Sequence, residues 1–235
     1  MSLANLLNFC PDALRVVPLE VPMITVDVWS DIACPWCYLG KHRLEAAIEA
    51  SAEDVNVVWH SFQLDPTIPH GQHTPHAEAL AKKFNTTPER VGEMNQRLID
   101  LGAAEGLEYR FDLYMSANTR DSHRVIHFAQ ERGLGNQMKD RLMKAQFTEG
   151  AIVDDFDVLA GLAADVGLDD AEVRAMLATD RYDDAVQADI DEAAALGATG
   201  VPFFVFDRKF AVSGAQPIAT FTEALRRSAE ATVSA

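Results

Sequence analysis

Strand character occurs at the two ends of this chain, separated by a long stretch that has almost none, and this limits the available folds more than any single motif. Ile24-Thr25-Val26-Asp27-Val28-Trp29 alternates and is rich in β-branched and aromatic residues, and Val55 to Phe62 has the same character. Between them Leu39, Leu44, Ala47 and Ile48 recur near helical spacing, beginning from Trp36. Strand, helix, strand in that order predicts a βαβ unit within a mostly parallel sheet. Strand signal returns at Val201 to Phe206 and at Lys209 to Ser213, joined by Asp207-Arg208, the length of a two-residue hairpin turn. A last helix starts near Pro217 and carries Ile218, Phe221, Ala224 and Leu225.

The intervening residues, His76 to Gly197, read as helical hairpins. Thr87-Pro88-Glu89 caps a helix whose buried stripe is Val91, Met94, Leu98 and Leu101. Asn118 with Asp121 caps another, which carries Val125, Ile126, Phe128 and Ala129 and stops at Gly133. Further helices are expected at 136–148, 155–166, 170–178 and 183–196. The expected organisation is an α/β domain formed by residues 23–75 and 198–235, split by an all-helical insertion over 76–197. Residues 1–22 are a poorly patterned leader of uncertain structure, and its Cys10 is incidental.

A net charge of −16 argues against nucleic acid and anionic membrane surfaces as partners, since both require clustered Lys and Arg. No apolar run approaches the roughly 18 residues of a membrane span. Residues 1–22 lack a basic start, and Asn8, Asp12, Arg15 and Glu20 interrupt any apolar core, so no secretory signal is expected and the location expected is cytoplasmic. There a lone Cys-x-x-Cys is more often catalytic or metal-binding than a structural staple.

Cys34-Pro35-Trp36-Cys37 lies where the first strand gives way to the helix. Disulfide exchange requires a thiolate and a second thiol near enough to resolve a mixed disulfide. At a helix start the unpaired N–H groups and the dipole favour negative charge on the first cysteine, and the second lies one turn inward. Cys34 is therefore expected to be the exposed nucleophile and Cys37 the more buried resolving thiol. Pro35 suits the first helical turn, and Trp36 adds no charge, so the expected Cys34 pKa is depressed without being extreme. A zinc site needs two more ligands; Cys10 is the only other thiol, and no His pair except His123 and His127 has ligand spacing, so no metal is expected.

Thr199-Gly200-Val201-Pro202 precedes the apolar strand Phe203-Phe204-Val205-Phe206. Pro202 has two readings: a tolerated first strand residue, or a cis Val201-Pro202 bond in a required turn; composition leaves both open. The combination of Ile24–Asp31 through Tyr38-Leu39-Gly40-Lys41, His60–Leu64, Asn118–Arg124, Gly200–Phe204 and Val212–Gln216 resembles the FrnE-type subfamily of the DsbA-like branch of the thioredoxin superfamily. The resemblance covers residue 23 to the end. It implies a thioredoxin-like fold with the helical insertion over the active-site face, and a cis-proline loop opposite the cysteines. Pro202 would then sit against Cys34, and the Val201 backbone would pair with an extended substrate. It implies no cofactor beyond the redox-active Cys34–Cys37 disulfide. The implied partners are a protein or small-molecule disulfide and glutathione or a thioredoxin-type reductant, for a monomer or a homodimer.

The related kappa-class glutathione transferases and 2-hydroxychromene-2-carboxylate isomerases offer an alternative, glutathione-dependent chemistry on a small hydrophobic substrate. This chain keeps both Cys34 and Cys37, and its Ser213-Gly214-Ala215-Gln216 departs from the Ser-Asp glutathione anchor of that branch. Among other candidates, Asn118, Arg120 and His123 either border a substrate pocket or form a capping cluster. Asp31 either accepts a proton near Cys37 or caps the loop. His42 either faces the site or is solvated, and His70, His73 and His76 are expected in an exposed loop.

Overall fold

The alternation in Ile24–Ser30 (β1) sends Val26 and Val28 to one face of the sheet and Asp27 and Trp29 to the other, and both faces are buried. The computed structural model describes residues 23–233. β1 leads into α1 (Pro35–Ala50) and then β2 (Val55–Ser61), which lies parallel to β1 in the register Val28 to Trp59. A parallel pair requires such a crossover. From the other end of the chain, β5 (Phe203–Phe206) pairs antiparallel with β1, and β6 (Phe210–Ser213) with β5, giving a mixed four-stranded sheet in the order β2-β1-β5-β6. On one face Phe204 and Phe206 join Val26 and Val28 in the core with α1 and with Phe221 and Leu225 of α9 (Ile218–Val233). This is a thioredoxin-like fold carrying a helical insertion. The leader and Cys10 lie outside the described residues.

The insertion consists of α2 (His76–Lys83), α3 (Pro88–Ala104), α4 (Arg120–Gln130), α5 (Gly135–Lys144), α6 (Phe156–Asp165), α7 (Asp170–Leu177) and α8 (Asp183–Ala195). The helix starts follow local chemistry: the side chains of Thr87, Asp155 and Asp169 each accept a backbone N–H at the start of α3, α6 and α7. α8 covers the second face of the sheet, packing Ala193 against Trp29 and Val205.

Several expectations are corrected. α5 ends at Lys144 and continues as a π-helical turn, Ala145–Glu149, which carries Phe147 into the core. The α3 stripe is interrupted: Met94 is 51% exposed and the neighbouring Asn95 is buried instead. The β5–β6 loop has three residues, Asp207, Arg208 and Lys209. Asp207 and Arg208 adopt positive φ (48° and 56°), and the loop is held by the Thr25 N–H donating to Asp207 Oδ1 at 2.8 Å. A short antiparallel ribbon, β3 (Thr74–Pro75) with β4 (Met115–Ser116), is too brief to leave a periodic signal. Among the described residues, no helix is long and apolar enough to cross a membrane.

Candidate active site

Cys34 closes the loop after β1 and occupies the N-cap of α1, with Pro35 opening the helix. Its carbonyl accepts the Cys37 N–H at 2.9 Å, and its own N–H donates to the Asp31 carbonyl at 3.2 Å. Cys34 thus stands at the N-terminal end of α1, where the helix dipole favours negative charge. The Val201–Pro202 peptide bond is cis, and the Val201 carbonyl oxygen lies 3.6 Å from Cys34 Sγ, within reach of a thiol hydrogen bond. Gly40 permits this approach: a Cβ there would lie 2.9 Å from Pro202 Cγ and 3.2 Å from Phe204 Cζ.

The two thiols are unlinked and both are buried, Cys34 4% and Cys37 1% exposed. The exposed Cys34 expected from sequence is thus corrected, although it remains the more accessible of the two. The cause is the insertion, which lies over the motif. Tyr114 donates to the Ala33 carbonyl at 2.9 Å and Tyr109 to the Pro35 carbonyl at 2.8 Å, and both pack around Phe147. The expected depression of Cys34 is also overturned: its hydrogen bond with Cys37, then burial, push this thiol well up. Two thiolates at once on the pair are therefore disfavoured. Trp36 is half-buried against the core.

Behind the cysteines lie three buried ionisable groups. Asp31 Oδ1 and His123 Nε2 are 3.3 Å apart, and the Leu64 N–H donates to Asp31 Oδ2 at 2.7 Å. Burial pushes the Asp31 carboxyl up, but His123 and the Leu64 N–H outweigh it and hold the group below its ordinary value. His123 is pulled down by burial. The third group is Lys139 of α5.

Residues 25–226 match the family described as "DSBA-like thioredoxin domain". The chain belongs to this family. A "probable DsbA oxidoreductase" of Streptomyces coelicolor is 44% identical, with a TM-score of 0.83 over 87% of this chain and 89% of that one. The uncharacterized protein YwbO of Bacillus subtilis is 30% identical over 184 residues, 77% of this chain and 86% of its own. The cytosolic disulfide reductase DsbM of Pseudomonas aeruginosa, also solved with GSH, shares the fold at 21% identity, with a TM-score of 0.61 over 86% of this chain and 97% of its own.

Within this DSBA-like chain the other sequence candidates separate. Asn118 and Arg120 form a capping cluster: the Asn118 amide donates to the Ile68 carbonyl at 2.7 Å, its Oδ1 accepts the Arg120 N–H, and the Arg120 guanidinium pairs with Asp183. His123 faces Asp31, and none of the three lines the cavity beside the motif. That cavity, of about 190 Å³, is bounded by Ala33, Leu64, Ile68, Leu80, Phe84 and Tyr114. His42 is half-buried on α1. His70 and His73 are separately engaged by Asp121 and Asp154, whereas His76, expected in an exposed loop, is buried against Tyr114 and pulled down to about 4 by burial.

Sequence reasoning missed Lys139, the two tyrosines and a second buried network. His60 lies 2.8 Å from Asp27 through Nε2 and 2.8 Å from Asp189 through Nδ1, and its ring stacks on Trp29. His60, Asp189 and Glu192 have ligand atoms within 4.8 Å of one another, but both His60 nitrogens are already occupied by carboxylates and Glu192 is held by Arg208. The signal available for this network was the alternation of β1 and β2, which placed Asp27 and His60 on one buried face.

Proposed function

We propose that the protein is a thiol–disulfide oxidoreductase in which Cys34 is the nucleophile and Cys37 the resolving thiol. The observation that carries this reading is the juxtaposition of Cys34 Sγ, at a helix N-terminus and beside Cys37, with the carbonyl of Val201. A substrate strand that pairs along Val201 brings its disulfide to that sulfur. The Cys34 thiolate attacks one substrate sulfur, forming a mixed disulfide and releasing the other sulfur as a thiolate, which takes up a proton. Cys37 then loses its proton and attacks Cys34, forming Cys34–Cys37 and expelling the second thiolate. The two cysteines lose two electrons to the substrate, and the Cys34 proton, given up before the attack, and the Cys37 proton end on the two released thiolates.

In a cytosolic poise of about −220 to −320 mV the resting form is the dithiol, which favours reductase or isomerase action. The likeness to a disulfide reductase solved with GSH supports glutathione as the reductant that restores the dithiol. The test is insulin-disulfide reduction. The wild type is expected to be active and Cys34→Ser inactive; undiminished activity in that variant refutes the reading.

A further inference from the structure

Among the described residues, two lysines have fully buried side chains, and their surroundings differ. Lys41 of α1 donates to Glu45 at 2.7 Å and to Asp140 at 2.9 Å, so its charge is matched. Lys139 of α5 is fully buried and, among the described residues, no carboxylate lies within ion-pair distance of it. Its ammonium has one hydrogen bond, to the Ser30 carbonyl at 3.3 Å, and rests over the Trp59 ring at 5.5 Å. A carbonyl and a ring face are weak compensation for a buried cation, which costs several kcal/mol unless it is paired.

The missing charge is next door. Ser30, the acceptor, ends β1 immediately before the loop that carries Cys34. The ionisable groups that act on Lys139 are Cys37, Asp31 and Cys34, with Lys41 opposing them, and Lys139 in turn acts on His123 of α4. The Asp31 oxygens are already taken by His123 and by the N–H groups of Leu64 and Ala33. A thiolate on the pair would add a second anion to the Asp31 carboxylate already acting on Lys139.

We propose that Lys139 is the internal counter-ion of the active-site thiolate: a positioning residue, delivered by the helical insertion, that stabilises negative charge on the Cys34–Cys37 pair and makes the couple more oxidising. The inference rests on the redox reading of that pair. Burial pulls the ammonium down to about 8, against the opposing effect of Cys37, Asp31 and Cys34. In the disulfide form Lys139 faces no thiolate, and its burial is offset only by Asp31 and the Ser30 carbonyl. In the dithiol form the thiolate matches it. Whatever stabilises the reduced form relative to the oxidised one raises the potential. The site thus draws its cation from the insertion, where Trp36 of the motif supplies none.

The test is Lys139→Met in the full chain, which keeps the volume and removes the charge. The thiolate titration midpoint is expected to rise by about one pH unit. The equilibrium of the Cys34–Cys37 couple with glutathione is expected to move about tenfold toward the disulfide, about 30 mV. The disulfide form is expected to be as stable as the wild type or more so, and the dithiol form less stable. Equal destabilisation of both forms with an unchanged midpoint would make Lys139 merely structural and overturn the proposal. Should the variant not fold, the wild type decides by NMR of the Lys139 side chain. Its titration is expected at higher pH in the dithiol than in the disulfide form, and identical titration in both overturns the proposal. These titrations use no substrate, so inactivity toward every disulfide would refute the redox reading while they still decide the role of Lys139.

Discussion

The sulfur of Cys34 and the carbonyl oxygen of Val201 meet at 3.6 Å, although they belong to opposite ends of the chain. Gly40 of α1 lies against Pro202 and Phe204 on the β5 side of the sheet. Gly40→Ala therefore sets two effects against each other. Alanine gains about 1 kcal/mol of helix propensity over glycine. Its Cβ, however, would lie 2.9 Å from Pro202 Cγ and 3.2 Å from Phe204 Cζ, and neither ring gives way cheaply. The overpacking cost of about 1–3 kcal/mol wins, so Gly40→Ala is expected to lower the denaturant midpoint and slow disulfide exchange. A stabilised variant with full activity would contradict this.

The cavity beside Ala33 is mostly apolar, with Asp31, His76 and Lys83 also in its wall, and holds about one large side chain. On the redox reading, its nearness to the motif suits it to the residue flanking a substrate cysteine, which a filling substitution tests. Leu80→Trp, which fills it, is expected to raise KM severalfold for peptide disulfides with Leu or Phe next to the cysteine. Peptides with Ala there should be unaffected. Steady-state kinetics on matched peptides checks this.

His60 joins the sheet to the insertion by holding Asp27 and Asp189 on its two ring nitrogens. Burial lowers its pKa, but the two carboxylates outweigh burial and raise it. A raised histidine stabilises the fold fully below the unfolded value of about 6.5 and loses that contribution as pH climbs through the folded value. Asp189 is held low, because the bonds from His127, His60 and the Ser61 N–H outweigh burial; its contribution is present above about pH 4 and falls away in acid. The clamp is therefore strongest between about pH 4 and 6.5. His60→Phe keeps the stacking on Trp29 and is expected to cost about 2 kcal/mol in that window and less at alkaline pH. Urea midpoints across pH measure this, and a pH-independent loss would contradict it.

Much of this architecture was legible because it is local. β1, α1 and β2 announce themselves by a change of period from two to 3.6 and back, and Thr87, Asp155 and Asp169 mark helix starts through their own side chains. Cys34 and Cys37 stood out from their motif, whereas the place of Val201 and Pro202 opposite Cys34 followed only from the family resemblance. Burial of Cys34 could not, because Tyr109 and Tyr114 arrive from the insertion. Lys139 was invisible for the same reason: 109 residues separate it from Ser30, and a lysine on an amphipathic helix ordinarily reads as solvent-facing. Met94 failed in the opposite sense, since periodicity marks one helix face without showing whether a neighbour covers it.

The division of labour between the two thiols is tested most directly by trapping the mixed disulfide. Cys37→Ser should stall after the first attack, and incubation with a peptide disulfide followed by mass spectrometry should find one peptide attached at Cys34. Cys34→Ser should form no such adduct at a comparable rate. An adduct on Cys37 in Cys34→Ser forming as fast as that on Cys34, or no adduct in either variant while the wild type turns over, would contradict the assignment.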